Sequence, residues 1–334
     1  IVSQENPARG RHHPKMNKPN STDKLTPKPK VLITGGAGFI GSHLAEELVN
    51  RGFHVRILDD FSSGRIENLG NIKDLIEVFR GDIREAKVVD EAVTSMDAVI
   101  HLAAKIDVSK SFEDPELYHD INVHGTLNLL NSCVRKGVRK FIYTSTCAVY
   151  GEPLRLPISE EHPVNPLSPY AASKLAAEAY CKAYANTHNL NLAILRLFNV
   201  YGPRQSNNPY GGVIVKFVES LRNHKPPTIF GDGKQTRDFT YIKDAVEAII
   251  KLLTNANVKG EVFNLGSGKS IPINWLAETL IKIMGIDGIK PVYLSPRLGD
   301  VRHSQADIRK IVETIEFKPK TSIEEGLKLV LQGA

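Results

Sequence analysis

A short strand, a glycine-rich turn and a helix follow one another between Lys30 and Arg51, and no other feature limits the fold of this chain as much. Lys30 to Thr34 is a β-branched and aliphatic run, the composition of a buried parallel strand. Glycines fall at 35, 36, 38 and 41, and Ser42 to Arg51 then has helical composition. Gly36-x-Gly38-x-x-Gly41 satisfies the dinucleotide fingerprint, and Gly35 adds Gly35-x-x-Gly38-x-x-Gly41. One glycine permits the tight turn, one lets backbone approach a pyrophosphate, and one lets helix pack on strand. The helix N-terminus offers free N–H donors and a positive dipole end to the anion. A glycine pattern alone is a weak signal. Here strand, turn and helix stand in the order the mechanism requires.

The next strand, Phe53 to Leu58, ends in Asp59-Asp60, at the distance where an acid meets the adenosine ribose. An acid there accepts from a 2′-hydroxyl and repels a 2′-phosphate, so NAD is favoured over NADP, with Arg65 the one nearby residue pointing the other way. A solvated loop acid is the competing reading, and it suits Asp60 better than Asp59. Asp82, after the strand Leu75 to Phe79, is placed to contact the adenine edge, and a plain loop acid fits it equally well.

At 334 residues the chain can bury a large core and form two domains. The net charge of +6 is unevenly spread: residues 1–29 carry +4, and the remainder only +2. That remainder is too weakly basic to suggest nucleic-acid binding. Residues 1–29 are rich in Pro, Asn and Ser and nearly free of apolar residues, which predicts a disordered basic tail without the apolar core of a signal peptide. No run of eighteen apolar residues exists to span a membrane. Cys133, Cys147 and Cys181 have no metal-ligand spacing, so no metal site is expected, and three scattered thiols fit a reducing cytoplasm.

From 30 to about 198, strands at 30–34, 53–58, 75–79, 97–101, 138–144 and 191–197 alternate with helices near 39–51, 84–95, 115–136 and 168–188. This alternation predicts an α/β fold with a doubly wound parallel sheet. A further αβ unit near 243–263 returns to the sheet. The dinucleotide-binding domain is therefore expected at 30–198 plus about 240–263. A smaller α/β substrate-binding domain is expected from about 199–239 plus 264–334, with helical stretches at 272–285 and 305–331.

Tyr170-Ala-Ala-Ser-Lys174 carries the second signal. Ser168-Pro169 reads as a helix cap and first-turn proline, so Tyr170 and Lys174 share one helix face. A free tyrosine titrates near pH ~10 and is a poor base at neutrality. An adjacent ammonium and a cationic nicotinamide favour the phenolate. A helix-surface Tyr/Lys pair is common, so the motif gains weight only beside the fingerprint and a hydroxyl-bearing strand end. That end is Thr144-Ser145-Thr146, at the sheet edge where doubly wound folds bind ligands.

Taken together, these blocks resemble the extended short-chain dehydrogenase/reductases, within the NAD-dependent sugar-nucleotide epimerase/dehydratase family and nearest to its UDP-glucose 4-epimerases. The resemblance runs from Lys30 to about Leu331. It rests on Thr34-Gly-Gly-Ala-Gly-Phe-Ile-Gly41, His101-Leu-Ala-Ala104, Asn122-Val-His-Gly-Thr126, Val149-Tyr-Gly151, Tyr170-xxx-Lys174, Arg196-Leu-Phe-Asn-Val-Tyr-Gly-Pro-Arg204, Gln235-Thr-Arg-Asp-Phe239 and Gly299-Asp-Val-Arg302. It implies Tyr170 as catalytic acid/base, Lys174 as its electrostatic partner and Thr146 as the assisting hydroxyl. It implies NAD contacts from Gly35, Gly38, Phe39, Ile40, Gly41, Asp59, Asp60, Ser63, Gly64, Asp82, Ile83, Leu102, Ala103, Ala104, Asn122 and Phe198, besides Tyr170 and Lys174. Asn199, Gly212, Val213, Arg237, Arg297, Asp300 and Ser304, with Thr146 and Tyr170, would meet the UDP-sugar. Arg237 and Asp300 also admit a reading as surface charges. Relatives often carry Gln after His-Leu-Ala-Ala, whereas this chain has Lys105-Ile-Asp107, which leaves Asp107 without an assigned part.

The resemblance implies 4-epimerisation of UDP-hexoses through a transient 4-keto sugar on tightly held NAD. The rivals are a UDP-uronate epimerase, a 4,6-dehydratase, a decarboxylase and a 4-ketoreductase. Dehydratases of the family need an Asp-Glu pair straight after the threonine, and decarboxylases usually keep a glutamate near it. Here those positions are Cys147 and Ala148. The helices at 115–136 and 168–188 match those that form a homodimer interface in the superfamily, with Leu127, Leu130, Ala176 and Ala179 as apolar contacts. In 4-epimerases the fourth residue past the acid equivalent to Asp300 gates the C2 substituent. Ser304 stands there, small enough for UDP-GlcNAc/UDP-GalNAc as well as UDP-glucose/UDP-galactose.

Overall fold

The computed structural model describes residues 28–188, 190–205, 212–255, 258–286, 288–296 and 300–333. The tail expectation therefore falls, through residue 27, outside the described residues. At Pro29 the chain is already tied to the sheet, its carbonyl accepting from the His54 N–H at 3.2 Å.

Seven strands form one parallel sheet: β1 (Lys30–Thr34), β2 (His54–Asp59), β3 (Glu77–Arg80), β4 (Ala98–His101), β5 (Lys140–Thr146), β6 (Asn191–Leu197) and β7 (Glu261–Leu265). Their order is β7-β6-β5-β4-β1-β2-β3, with every neighbouring pair parallel. The winding reverses between β1 and β4, where Thr34 pairs with His101. Ligands of doubly wound sheets enter at such a switch point, beyond the carboxyl ends of the strands.

Side chains of a strand alternate between faces, and β1 divides its residues accordingly. Val31 and Ile33 join an apolar cluster with Leu44 and Leu48 of helix α1 (Phe39–Asn50). Leu32 faces the other layer, with Val89 of α2 (Ala86–Val93), Leu129 of α3 (Gly125–Lys136) and Ala177 of α4 (Pro169–Thr187). Helix α5 (Ile242–Thr254) covers the α1 face and leads into β7, so the expected late αβ unit does rejoin the sheet. The α1-side cluster continues without a break into Phe217, Leu276, Ile311 and Leu327 of the later segments.

The helix expected at 115–136 is not uniform. Pro115–His119 starts beneath an Asp114 cap, a π-turn spans Asp120–His124, and α3 follows. The wider turn seats Ile121, Asn122 and Val123 in the interior. An additional helix, Val108–Glu113, is capped by Asp107, whose carboxylate accepts from the Lys110 N–H at 2.8 Å. That gives Asp107 a structural part as a helix cap. The 305–331 stretch divides into Arg309–Ile315 and Ile323–Gln332. Three two-stranded ribbons were not expected: Val200–Tyr201 with Thr240–Tyr241, Thr236–Asp238 with Ser270–Pro272, and Thr228–Phe230 with Val292–Leu294. Strands this short carry too little periodicity to read. Leu130, expected at a dimer face, is a core residue with no exposed surface, whereas Ala179 is exposed.

Candidate active site

The glycine turn is shaped by contacts that exclude a side chain. Gly35 has φ +69°, and a Cβ there would lie 2.8 Å from the Ala103 nitrogen. A Cβ on Gly41 would lie 2.2 Å from the Gly35 carbonyl oxygen and 2.7 Å from the Gly36 Cα. The turn and the strand ends beside it open into a cleft of about 430 Å³. Gly35, Gly38, Phe39, Ile40, Gly41, Asp60, Ser63, Asp82, Ile83, Leu102, Ala103 and Ala104 all line it. A backbone cradle with free helix N–H groups and no room for Cβ atoms suits a dinucleotide pyrophosphate.

The two acids after β2 differ sharply. Asp59 lines the cleft but is buried, its carboxylate accepting from the Ala37 N–H at 2.9 Å and the Phe61 N–H at 2.8 Å. Burial pushes its carboxyl above the usual range, and those two amides pull it back. Gly64 does not line the cleft; a Cβ on it would come within 2.9 Å of both Asp59 oxygens. Asp60 is exposed at the cleft wall. Asp82 is gripped by Arg84 at 2.9 and 2.6 Å, which holds its carboxyl below the ordinary range.

A hydrogen-bonded chain fixes the β1–β4 junction. The Thr126 hydroxyl donates to the Asn122 carbonyl at 2.6 Å. Its oxygen must then accept from His101 Nε2 at 2.9 Å, which leaves Nδ1 to accept from the Thr34 hydroxyl at 2.7 Å. Burial, and then the Lys174 ammonium, hold this imidazole well below its usual range, so it is neutral. Asn122 does not line the cleft. Its side-chain amide clamps the Lys105 backbone, accepting at 2.8 Å and donating at 3.0 Å, and donates to Ser173 Oγ on α4 at 2.9 Å.

The end of β5 sorts its three hydroxyls. Thr144 donates to the His101 carbonyl at 2.8 Å, and Ser145 Oγ is buried without a partner. Thr146 faces the phenol of Tyr170. Ser168 caps α4 as expected, its Oγ accepting from the Ala171 N–H at 3.1 Å. Tyr170 and Lys174 both reach the cleft from the first turns of α4. Burial pushes the Tyr170 phenol up to about 12, with the Thr146 hydroxyl pulling the other way. Burial also lowers the Lys174 ammonium to about 7, against the raising effects of Cys181 and Glu178. Its Nζ sits 4.4 Å from the centroid of the Tyr143 ring. In the protein alone, desolvation thus outweighs the electrostatic lowering of the phenol expected from Lys174. Phe198 and Asn199 line the far side, and Asn199 donates to the Asp238 carbonyl at 3.1 Å.

The remaining expected residues that are described connect to this cleft through residues that line it. Arg237 and Asp300 form an ion pair with each other, Arg237 being largely buried. Arg237 and Ser304 both act on the thiol of Cys147, a cleft-lining residue beside Thr146. Ser304 is 3 % exposed, and its Oγ has no hydrogen-bond partner of ordinary geometry. It caps no helix, since the next one starts at Arg309. Its segment is strung between two others. The Thr236 N–H donates to the Arg302 carbonyl and the Ser304 N–H to the Thr236 carbonyl, both at 3.1 Å. On the other side the Ile158 N–H donates to Gln305 and the Asp307 N–H to Ile158, both at 2.8 Å. Gly212 and Val213 open the helix Val213–Arg222, where a Cβ on Gly212 would meet the side chain of cleft-lining Gln205 at 3.0 Å. Arg297 lies outside the described residues.

A family model for the NAD dependent epimerase/dehydratase family matches residues 31–266. The chain belongs to that family. A putative UDP-glucose 4-epimerase of Methanocaldococcus jannaschii is 41 % identical over 304 residues, covering 90 % of this chain and 97 % of the relative. A UDP-N-acetyl-alpha-D-glucosaminuronate decarboxylase of Bacillus cytotoxicus is 38 % identical over 318 residues, covering 91 % and 97 %. Among solved structures, the UDP-glucose 4-epimerase of Thermotoga maritima with UDP-glucose superposes with a TM-score of 0.87 at 37 % identity, covering 91 % of this chain and 98 % of that one. The epimerase/dehydratase fold, the NAD cofactor and the seven-stranded sheet are thereby common ground, while relatives of similar identity differ in reaction.

Some residues that shape this family member's site were given no binding or positioning part from its sequence. Asp238 is fully buried and accepts from Ser267 Oγ and N at 2.7 Å, and from the Gly268 and Ala306 N–H groups at 3.0 Å. It holds three segments around Arg237, yet in sequence it is one acid in a polar stretch. Lys105 and Cys147 line the cleft because of where β4 and β5 end.

Proposed function

We propose that this enzyme interconverts UDP-hexoses at C4: UDP-glucose with UDP-galactose, and UDP-GlcNAc with UDP-GalNAc. The observation that carries the reading is the neighbourhood of Thr146. Its hydroxyl and the Tyr170 phenol face each other in the cleft, whereas the next two positions are Cys147 and Ala148. Burial pushes the Cys147 thiol up to about 11. Neither residue can act as the acid and base that elimination of water across C5 and C6 needs, nor replace the glutamate of a decarboxylase.

Gly35, Gly38, Gly41, Asp59, Asp60, Ala103 and Ala104 would hold NAD, which when bound supplies a hydride acceptor that returns what it takes. The chain's own part is proton transfer and positioning. Tyr170 removes the proton of the 4-hydroxyl, Thr146 orients that oxygen and opposes the rise in phenol pKa that burial imposes, and Lys174, one turn on, favours the phenolate once a cationic nicotinamide is bound. After the 4-keto sugar turns over, Tyr170 returns the proton. We assign segments 199–239 and 264–334 to the sugar nucleotide. Arg237 and Asp300 stand as an ion pair that a pyrophosphate and a ribose would divide between them. Ser304, small and set against Cys147, leaves room for an N-acetyl group.

We further propose a cytoplasmic homodimer joined through α3 and α4. Leu127 and Ala176 are half-buried and Ala179 and Tyr180 exposed on these adjacent helices. Cys133, Cys147 and Cys181 are all unpaired thiols, as suits a reducing compartment. No helix among the described residues is long and apolar enough to cross a membrane. A monomer mass in light scattering at micromolar concentration would remove the dimer. For the reaction, the test is incubation with a panel of UDP-sugars without added reductant, with products resolved chromatographically. Equilibration of the 4-epimers supports the reading. Release of carbon dioxide or of a stable 4-keto-6-deoxy sugar would replace it.

A further inference from the structure

Glu178 follows Lys174 by four residues on α4, as Lys174 follows Tyr170, so the three stand on successive turns of one helix face. Glu178 is 1 % exposed and does not line the cleft. Its carboxylate is held at both oxygens by Arg196, through Nε at 3.0 Å and Nη2 at 2.7 Å. Arg196 is itself 3 % exposed, pairs in register with Ser145 of β5, and stacks 4.7 Å from the Tyr150 ring centroid. A buried ion pair is seldom a net source of stability, since apolar residues of similar volume hold a core as well. Its presence one turn from the site therefore calls for another role.

The groups facing Lys174 come from three elements. On α4 they are Tyr170, Cys181 and Glu178; on β5 the Tyr143 ring; on β4 His101, which burial keeps neutral. In the protein alone the thiol and both phenols are uncharged at neutral pH, because burial pushes Cys181, Tyr143 and Tyr170 upward. Glu178 is the one anion among them.

We infer that Glu178 is a positioning residue for Lys174: its carboxylate, clamped by Arg196, keeps the neighbouring ammonium charged and directed at the cleft. This rests on the reading of Tyr170 and Lys174 as the acid/base pair. Arg196 has two effects in this arrangement. It fixes the carboxylate, and it shares the negative charge that Lys174 would otherwise feel in full. Removing either partner therefore moves Lys174 in opposite directions, which a merely structural ion pair would not do.

The experiment reads the Lys174 titration directly, in NAD-loaded protein carrying 13Cε-labelled lysine, with the Lys174 resonance assigned by its loss in Lys174→Met. Glu178→Gln should lower the Lys174 midpoint by about one pH unit, and Arg196→Gln should raise it by a smaller amount. The alkaline limb of the kcat profile for UDP-glucose should move with it in each case. Where a single variant does not fold, the double Glu178→Gln/Arg196→Gln, which keeps two amides of matched length, should still lower the midpoint, by less than Glu178→Gln alone, because of the two charges removed the carboxylate one turn away acts more strongly on Lys174. Unchanged midpoints in the variants overturn the inference. So does a fall in kcat with an unmoved pH profile. A wild-type protein inert on every UDP-sugar would instead defeat the proposed function, and the resonance titration would still decide the role of Glu178.

Discussion

Replacing Lys174 by methionine isolates what burying an ammonium costs this fold. Lysine titrates near 10.5 in an unfolded chain, and burial brings Lys174 down to about 7 in the folded one. Between those values the unfolded state binds more protons than the folded state, so stability rises with pH across that window. The penalty is fully present below pH 7 and gone above 10.5. At about 1.4 kcal/mol per pH unit it amounts to about 5 kcal/mol. Methionine removes that penalty and also the cation–π contact with Tyr143, worth about 1 kcal/mol. Lys174→Met should therefore be about 4 kcal/mol more stable than wild type at pH 6, the gap closing by about 1.4 kcal/mol per pH unit above pH 7. Urea unfolding of both NAD-free proteins at pH 6, 7.5 and 9 measures it. A gap independent of pH, or a variant less stable at pH 6, would refute the argument that desolvation dominates this site. The same variant should be nearly inactive, so stability and catalysis move in opposite directions at one residue.

Tyr170→Phe should keep its fold and its NAD yet lose roughly 10³-fold or more in kcat, since the proton acceptor is gone; near-normal turnover would remove Tyr170 from the mechanism. Gly41→Ala places a methyl 2.2 Å from the Gly35 carbonyl and should abolish retention of NAD through purification, read by the absorbance ratio at 260 and 280 nm. Ser304→Tyr should selectively remove N-acetylhexosamine turnover while sparing UDP-glucose. Equal rates on all four sugars in both proteins would show that position 304 never meets the C2 substituent.

The sheet was legible because its strands are short apolar runs punctuated by glycine and acid, with each carboxyl end carrying a motif. Lys30–Thr34 and Asn191–Leu197 match the structure to the residue. The strand after Leu75 instead starts at Glu77, because Lys73–Leu75 forms a 3-10 turn and Leu75 is exposed. The π-turn at Asp120–His124 left no mark in the periodicity, since it keeps the apolar face of the helices on either side. Among the acids, the reading of Asp60 rather than Asp59 as the solvated one agrees with its exposure, while the two backbone N–H groups that hold Asp59 were not legible. Asn122 was read as an NAD contact, but it lies off the cleft and clamps Lys105 instead, because a side-chain amide bonded to backbone depends on the loop it meets. Arg237 and Asp300 were read as substrate residues or as surface charges. The structure makes them partners, a relation between two segments that no local pattern records.

The suspension of the Arg302–Asp307 segment between Thr236 and Ile158 bears on how selectivity in this protein can change over time. The surroundings of Ser304 are not set by one position. One wall is the Cys147 thiol, supplied by the central sheet; the other is set by how tightly two backbone ladders hold the segment in place. A larger side chain at 304 cannot carry its backbone away, because its own amide is bonded and its neighbours on both sides are tethered. Enlarging Cys147 and enlarging Ser304 therefore act on the same volume, and their effects on sugar preference should be non-additive. Drift at either position constrains what the other can accept.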